Sequence, residues 1–202
     1  MRHLKIVGLL AVSATALTAF FGVASASAEV LWTRNSGGTL TTLPINSNIE
    51  SSLESGTSTL LKDTAGGVND TCTGSTLSGT MQTNSGGHAN GPVSALTFTG
   101  CSHTTHVLAT GTLTIKRIAG TTNGTVISNG ARVTFKSTVF GLSCVAATGA
   151  GTTIGTLTGA SSSTSHATID INSVIAHEPT CGGDSTWTGS YLVTSPLGLV
   201  VE

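Results

Sequence analysis

The stretch ALTFTGC, residues Ala95 to Cys101, places Leu96 and Phe98 on one side of an extended chain and Thr97 and Thr99 on the other. A period of two is the mark of a half-buried β-strand, with one face on a core and one in water. The same alternation returns in GTLTIKR (Leu113 and Ile115 against Thr112, Thr114 and Lys116) and in ARVTFKS (Val133 and Phe135 against Arg132, Thr134 and Lys136). ATIDINS repeats it, with Ile169 and Ile171 against Thr168, Asp170 and Asn172. Between these segments lie TAGGVND, NSGGHANGP, AGTTNGT, SNGA, ATGAGT and CGGD, which are turn chemistry. The AsnGly pairs 123–124 and 129–130 read as tight hairpins. PINSNIESSLESG suits a short helix or a strand, and its β-rich neighbours favour the strand. The pattern predicts roughly nine to twelve strands. The expected fold is an all-β, antiparallel two-sheet β-sandwich or jelly roll in a single disulfide-stapled domain, with a closed barrel as the remaining option.

The first 28 residues read differently. Arg2 and Lys5 precede an uncharged run from Ile6, and Ala26-Ser27-Ala28 supplies a small-x-small site, so residues 1–28 are expected to be a signal peptide and residues 29–202 the folded domain. The chain is then expected to be exported, to the medium or the cell surface, with no integral membrane span after cleavage. Six Lys or Arg remain against nine Asp or Glu. That balance gives no basic footprint for nucleic acid. Charged residues make up only 8% of the chain, so the exterior of the fold must be largely Thr and Ser.

Cys72, Cys101, Cys144 and Cys181 all follow the leader. An even count in an oxidising compartment reads as two disulfides. Three pairings are possible, and Cys72–Cys101 with Cys144–Cys181 is preferred because each joins strands near in sequence.

CSHTTH, residues 101–106, carries zinc-type ligands. In an extended segment His103 and His106 point to opposite faces, and Cys101 is expected in a disulfide. The segment therefore reads as strand-end histidines beside a staple. HEPTCGGD gathers His177, Glu178 and Asp184 and is the place where a hydrolytic centre would sit, yet GxSxG and SxxK are absent. DTAGGVND offers Asp63, Asn69 and Asp70 without the spacing of a calcium loop. Asn69-Asp70-Thr71 and Asn123-Gly124-Thr125 match the glycosylation sequon. Trp187 and Tyr191, four apart on one strand, read as core anchors beside the second disulfide. No catalytic, cofactor-binding or metal residue is expected.

DTCTGSTLSGT, ALTFTGC, GTLTIKRIAGTTNGT, GTLTG and WTGSYLVTSP resemble stretches of a group of small secreted all-β proteins abundant in actinobacteria. The Cys-bracketed strand pattern alone resembles the secreted activator of alkane oxidation known from pseudomonads. That second resemblance implies an accessory protein for hydrophobic substrates, and neither carries catalytic residues. The functional expectation is a secreted, non-enzymatic protein with a structural, adhesive or ligand-contacting role at or near the cell surface. Its partner would be a second copy or a surface component, and SPLGLVVE at the C-terminus would close its own sheet or add to a neighbour's. The alternatives are a carrier for apolar molecules such as alkanes or lipids, marked by an empty apolar cavity, and a hydrolase centred on the His177–Asp184 loop.

Overall fold

The computed structural model describes residues 29–63, 69–136, 143–177 and 184–202. Sixteen strands run through them. Twelve of these make eight long antiparallel staves, several broken near the middle. In chain order the staves are β3 (Asn48–Leu53) with β4 (Thr59–Asp63), then β5 (Asn69–Thr80), then β7 (His88–Cys101). Next come β8 (His106–Ala109) with β9 (Thr112–Arg117), and β10 (Asn123–Asn129) with β11 (Arg132–Lys136). The last three are β12 (Ser143–Ala147) with β13 (Thr152–Thr158), β14 (Thr168–His177) and β15 (Ser185–Ser195). The short β6 (Thr83–Ser85) pairs with the start of β7.

Each stave pairs with its neighbours in sequence, and the last returns to the first. β15 lies between β14 (Ile169↔Tyr191) and β3 (Tyr191↔Leu53), so both its edges are used. One half of the molecule is a continuous circuit: β3–β5–β7–β9–β10–β13–β14–β15–β3. The other half, β7–β5–β4–β15–β14–β12–β11–β8, stays open, because β7 and β8 do not pair among the described residues. The alternating segments are strands as predicted, though sixteen strands form where roughly nine to twelve are expected because several staves are broken, and the expected pair of stacked sheets is replaced by one sheet closed on itself as an eight-stave barrel. In the closed half this removes the sheet edges that a sandwich must leave exposed.

The breaks in the staves have a backbone cause. Gly56, Gly111, Gly130 and Gly151 fall between β3 and β4, β8 and β9, β10 and β11, and β12 and β13, with φ of +80°, +68°, +71° and +73°. A left-handed residue cannot continue a strand, and only glycine adopts that conformation without a steric cost. At Gly111 a Cβ would also stand 2.2 Å from the Asn129 carbonyl oxygen. Asn129-Gly130 is therefore a mid-stave break and Asn123-Gly124 lies inside β10, so neither is the hairpin turn expected of it. The β9–β10 reversal is made by residues 118–123, where Thr121 N–H donates to the Ile118 carbonyl. PINSNIESSLESG forms β3, as the strand reading predicts.

A small sheet covers the base of the closed half. β1 (Leu31–Arg34) lies between β2 (Leu40–Thr42) and β16 (Leu199–Val201). The C-terminal residues thus pair within their own chain, and Val200 and Val201 are fully buried. Asn84, buried on β6, fastens this sheet: its Oδ1 accepts from Val30 N–H and Leu31 N–H (2.9 and 2.8 Å). Its Nδ2 donates to the carbonyls of Leu31 and Leu43 (2.9 and 3.1 Å). The Cys72–Cys101 staple joins directly opposed residues of β5 and β7, as expected. Cys144 is also in a disulfide, while its expected partner, Cys181, lies outside the described residues, as does the predicted leader.

Candidate functional site

Two buried hydrogen-bond chains cross the waist of the barrel, and both end on carbonyls. The Tyr191 hydroxyl donates to Ser75 Oγ (3.0 Å), and Ser75 donates on to the Thr97 carbonyl (2.7 Å). Trp187 Nε1–H donates to Thr59 Oγ1 (3.0 Å), and Thr59 donates on to the Thr188 carbonyl (2.9 Å). Every donor is satisfied, which is what permits four polar side chains in a core. Burial pushes the Tyr191 hydroxyl above its ordinary value of 10.0, and the hydrogen bonds from its neighbours offset part of that rise. Trp187 and Tyr191 are the core anchors the sequence predicts.

The waist separates two interiors of different character. The open half holds Phe98, Phe135 and Trp187, with Phe98 set edge-on to Trp187 at 6.3 Å between ring centres. Little room is left there, about 10 Å³. Among the described residues no aromatic side chain lines the chamber of the closed half. Its walls are mainly aliphatic, among them Leu77, Val93, Leu113, Leu157, Ile169 and Val193, with Leu31 and Leu199 of the small sheet as the base, and they line a partly open chamber of about 80 Å³. Branched aliphatic side chains from eight converging staves cannot fill a cross-section that rings fill in the other half. Eight strands give an interior that side chains either pack shut or leave open to one small ligand.

The chamber walls are not equally deep. Lining residues on β13, β14, β15 and the small sheet are fully covered (Leu157, Ile169, Val193, Leu31 and Leu199), whereas Ile49, Leu77, Gly79, Pro92 and Leu113 are half-buried. The chamber therefore lies nearest to solvent on the β3, β5, β7 and β9 side. No charged side chain lines it.

The CSHTTH segment is organised by a buried acid. Asp70 Oδ1 accepts from Ser102 Oγ and from His103 N–H, each at 3.0 Å, and Oδ2 accepts from Thr105 Oγ1. Ser102 Oγ also accepts from Thr71 N–H (3.0 Å) and lies 3.3 Å from His103 Nδ1, which stands 4.0 Å from the same carboxylate oxygen. A serine, a histidine and an aspartate are thus in contact, but not as a relay. The serine proton is directed at the carboxylate, and the imidazole meets Ser102 and Asp70 through one nitrogen, so it is not placed between them as a base oriented by an acid. The group ties residues 102–105 to β5. His103 sits in this turn rather than on a strand, which corrects the extended reading of the segment, and β8 begins only at His106. Asp70, Cys72 and Cys101 bring three ligand-type atoms within 4.8 Å, but both sulfurs are spent in the disulfide.

Most of the remaining candidates lie at strand ends along one rim, where Ser185 is opposite both Ile175 and Asp63. His177 ends β14 and Asp184 is exposed just before β15, with Glu178 outside the described residues. Asp63 and Asn69 end β4 and begin β5, and the loop between them is likewise outside the described residues. Asn123 is half-buried, and its Oδ1 accepts from Gly159 N–H (3.4 Å). No protein-family model matches the chain, and neither a curated protein nor a solved structure matches it.

Proposed function

We propose that this is an exported, non-enzymatic binding protein whose barrel takes up part of an apolar small molecule. The observation that carries the reading is the aliphatic, uncharged chamber of about 80 Å³ in the closed half. An apolar cavity in a rigid wall stays dry and gains free energy when an apolar group fills it. The wall is rigid here because every stave of that half is hydrogen-bonded on both sides. The polar groups that would otherwise suggest chemistry are engaged in holding structure: Asp70 in a turn, Ser75 and Thr59 in the waist. Titration calorimetry with decan-1-ol at two temperatures tests this. Saturable binding with a negative heat-capacity change is expected, lost when Ala89→Leu fills the chamber. Absence of binding, or hydrolytic turnover abolished by changing His177 and Asp184, would overturn it.

A structural role through self-association is the second reading, favoured by one observation. Among the described residues β8 pairs only with β11, and it carries Leu108, which is 53% exposed. A free edge bearing an apolar side chain is a site for strand addition. Sedimentation velocity decides it, with a concentration-dependent dimer abolished by Leu108→Lys supporting this role and a monomer at all concentrations refuting it.

A further inference from the structure

We infer that the chamber recognises the methyl end of an unbranched alkyl chain and is indifferent to the charge of the head group. The inference rests on the binding reading above and concerns what that site selects. Size comes first. A buried cavity of about 150 Å³ accommodates benzene. The chamber here is about 80 Å³, which on that scale holds roughly three carbons and not a six-membered ring. The lining agrees, since it offers aliphatic side chains on all sides and no aromatic face on which a ring would stack. A narrow chain end is the apolar group that fits, and the rest of the molecule must lie outside.

The side on which the chamber lies nearest to solvent says what happens to that remainder. The polar side chains there are uncharged and partly paired with each other: Thr80 Oγ1 donates to Asn48 Oδ1 (3.0 Å), and Asn90 Nδ2 donates to Thr114 Oγ1 (2.8 Å). The charged residues nearest to them along β3 and β9 are Glu50 and Lys116, both exposed. They carry opposite charge, so between them they favour neither an acid nor an amine, and both are screened by solvent. A head group resting on this surface is held by neither sign of charge. Discrimination therefore falls on the chain end, where packing is tight.

The experiment is a calorimetric series on the purified protein with primary alcohols from methanol to decan-1-ol. Decanoate, decylammonium and 4-cyclohexylbutan-1-ol complete the set. Affinity is expected to rise about fourfold per added methylene over roughly three carbons, the transfer free energy of a buried methylene, and then to level off. The three ten-carbon chains are expected to agree within about threefold. The ring-ended alcohol, with the carbon count of decanol, is expected to bind at least about tenfold more weakly because it overpacks the chamber. Ring-ended and straight-chain alcohols binding alike, or decanoate and decylammonium differing by more than tenfold, would overturn the inference while leaving an apolar site in place. No binding by any member would overturn the site itself. Ala89→Leu and, independently, Ile169→Phe should each remove the chain-length dependence with the circular dichroism unchanged, and dependence that persists in both would place the binding elsewhere.

Discussion

Asn84→Ala is the most informative single change, because one buried amide holds the small sheet that forms the chamber base. Asn84 makes four hydrogen bonds, to Val30 N–H, Leu31 N–H, and the Leu31 and Leu43 carbonyls. The Leu31 carbonyl keeps a second donor, Leu43 N–H at 2.9 Å. Three backbone groups therefore lose the partner that Asn84 supplies. A buried polar group left without a partner costs about 1–3 kcal/mol. Three such losses, reduced because the loosened base admits water, give an expected destabilisation of about 3–5 kcal/mol. Guanidinium unfolding followed by the fluorescence of Trp32 and Trp187 measures it, and the slope against denaturant should stay unchanged. Hydrogen exchange should show protection lost first at residues 30–43 and 199–201. Asn84→Asp, which keeps the oxygen that accepts from both N–H groups but sets a second oxygen against two carbonyls, should cost about as much as alanine. A loss under about 1 kcal/mol for Asn84→Ala, with exchange at residues 30–43 unchanged, would refute the claim that this side chain fastens the base.

Tyr191 is the sole tyrosine of the chain, so its ionisation is read without interference at 295 nm. Its folded pKa is raised, so its contribution to stability is complete below about pH 10 and is lost as pH rises above that value. The absorbance should therefore change only well above pH 10 and together with unfolding, and a titration centred at 10 in the folded protein would contradict its burial. Ser75→Ala leaves the Tyr191 hydroxyl without its acceptor and should cost about 1–3 kcal/mol, most of it recovered in the double variant with Tyr191→Phe. Equal and additive losses in the two single variants would show that the waist chain is not a unit. Deleting Leu199 to Glu202 removes β16 and two fully buried valines, so the melting temperature should fall by at least about 10 °C, and an unchanged value would show that the small sheet is dispensable.

The strands were legible in the sequence because a period of two is a local signal. Leu96 and Phe98, or Ile169 and Ile171, need no knowledge of the rest of the chain to be placed on one face. Closure was not legible in this way. It depends on Tyr191 finding Leu53 across a sequence separation of 138, and no local pattern separates a strand that ends a sheet from one that closes it. The glycine-rich segments misled for a related reason. AsnGly at 129–130 has the composition of a hairpin, but the left-handed residue breaks one stave instead of reversing the chain, and only the register across the neighbours distinguishes the two. Pairing of Cys72 with Cys101 was accessible because opposed strands close in sequence bring their residues together. The chamber was hidden because it results from a placement: Phe98, Phe135 and Trp187 fall in the open half, and among the described residues no aromatic side chain lines the chamber. The signal was present as an uneven distribution of few aromatics, unreadable until the staves are aligned. Asp70 read as a loop oxygen, and its role needs the turn at residues 102–105 to be folded against it.

The central claim is that the closed half of the barrel holds a dry apolar chamber open to an apolar guest. Diffraction from crystals pressurised with xenon tests this most directly, since xenon enters apolar cavities of this kind and is located without reference to any assumed ligand. One strong xenon site is expected among Leu31, Val93, Leu157, Ile169 and Leu199, and it should be lost in Ala89→Leu. Ordered water at that position, or side chains packed through it with no xenon bound, would contradict it.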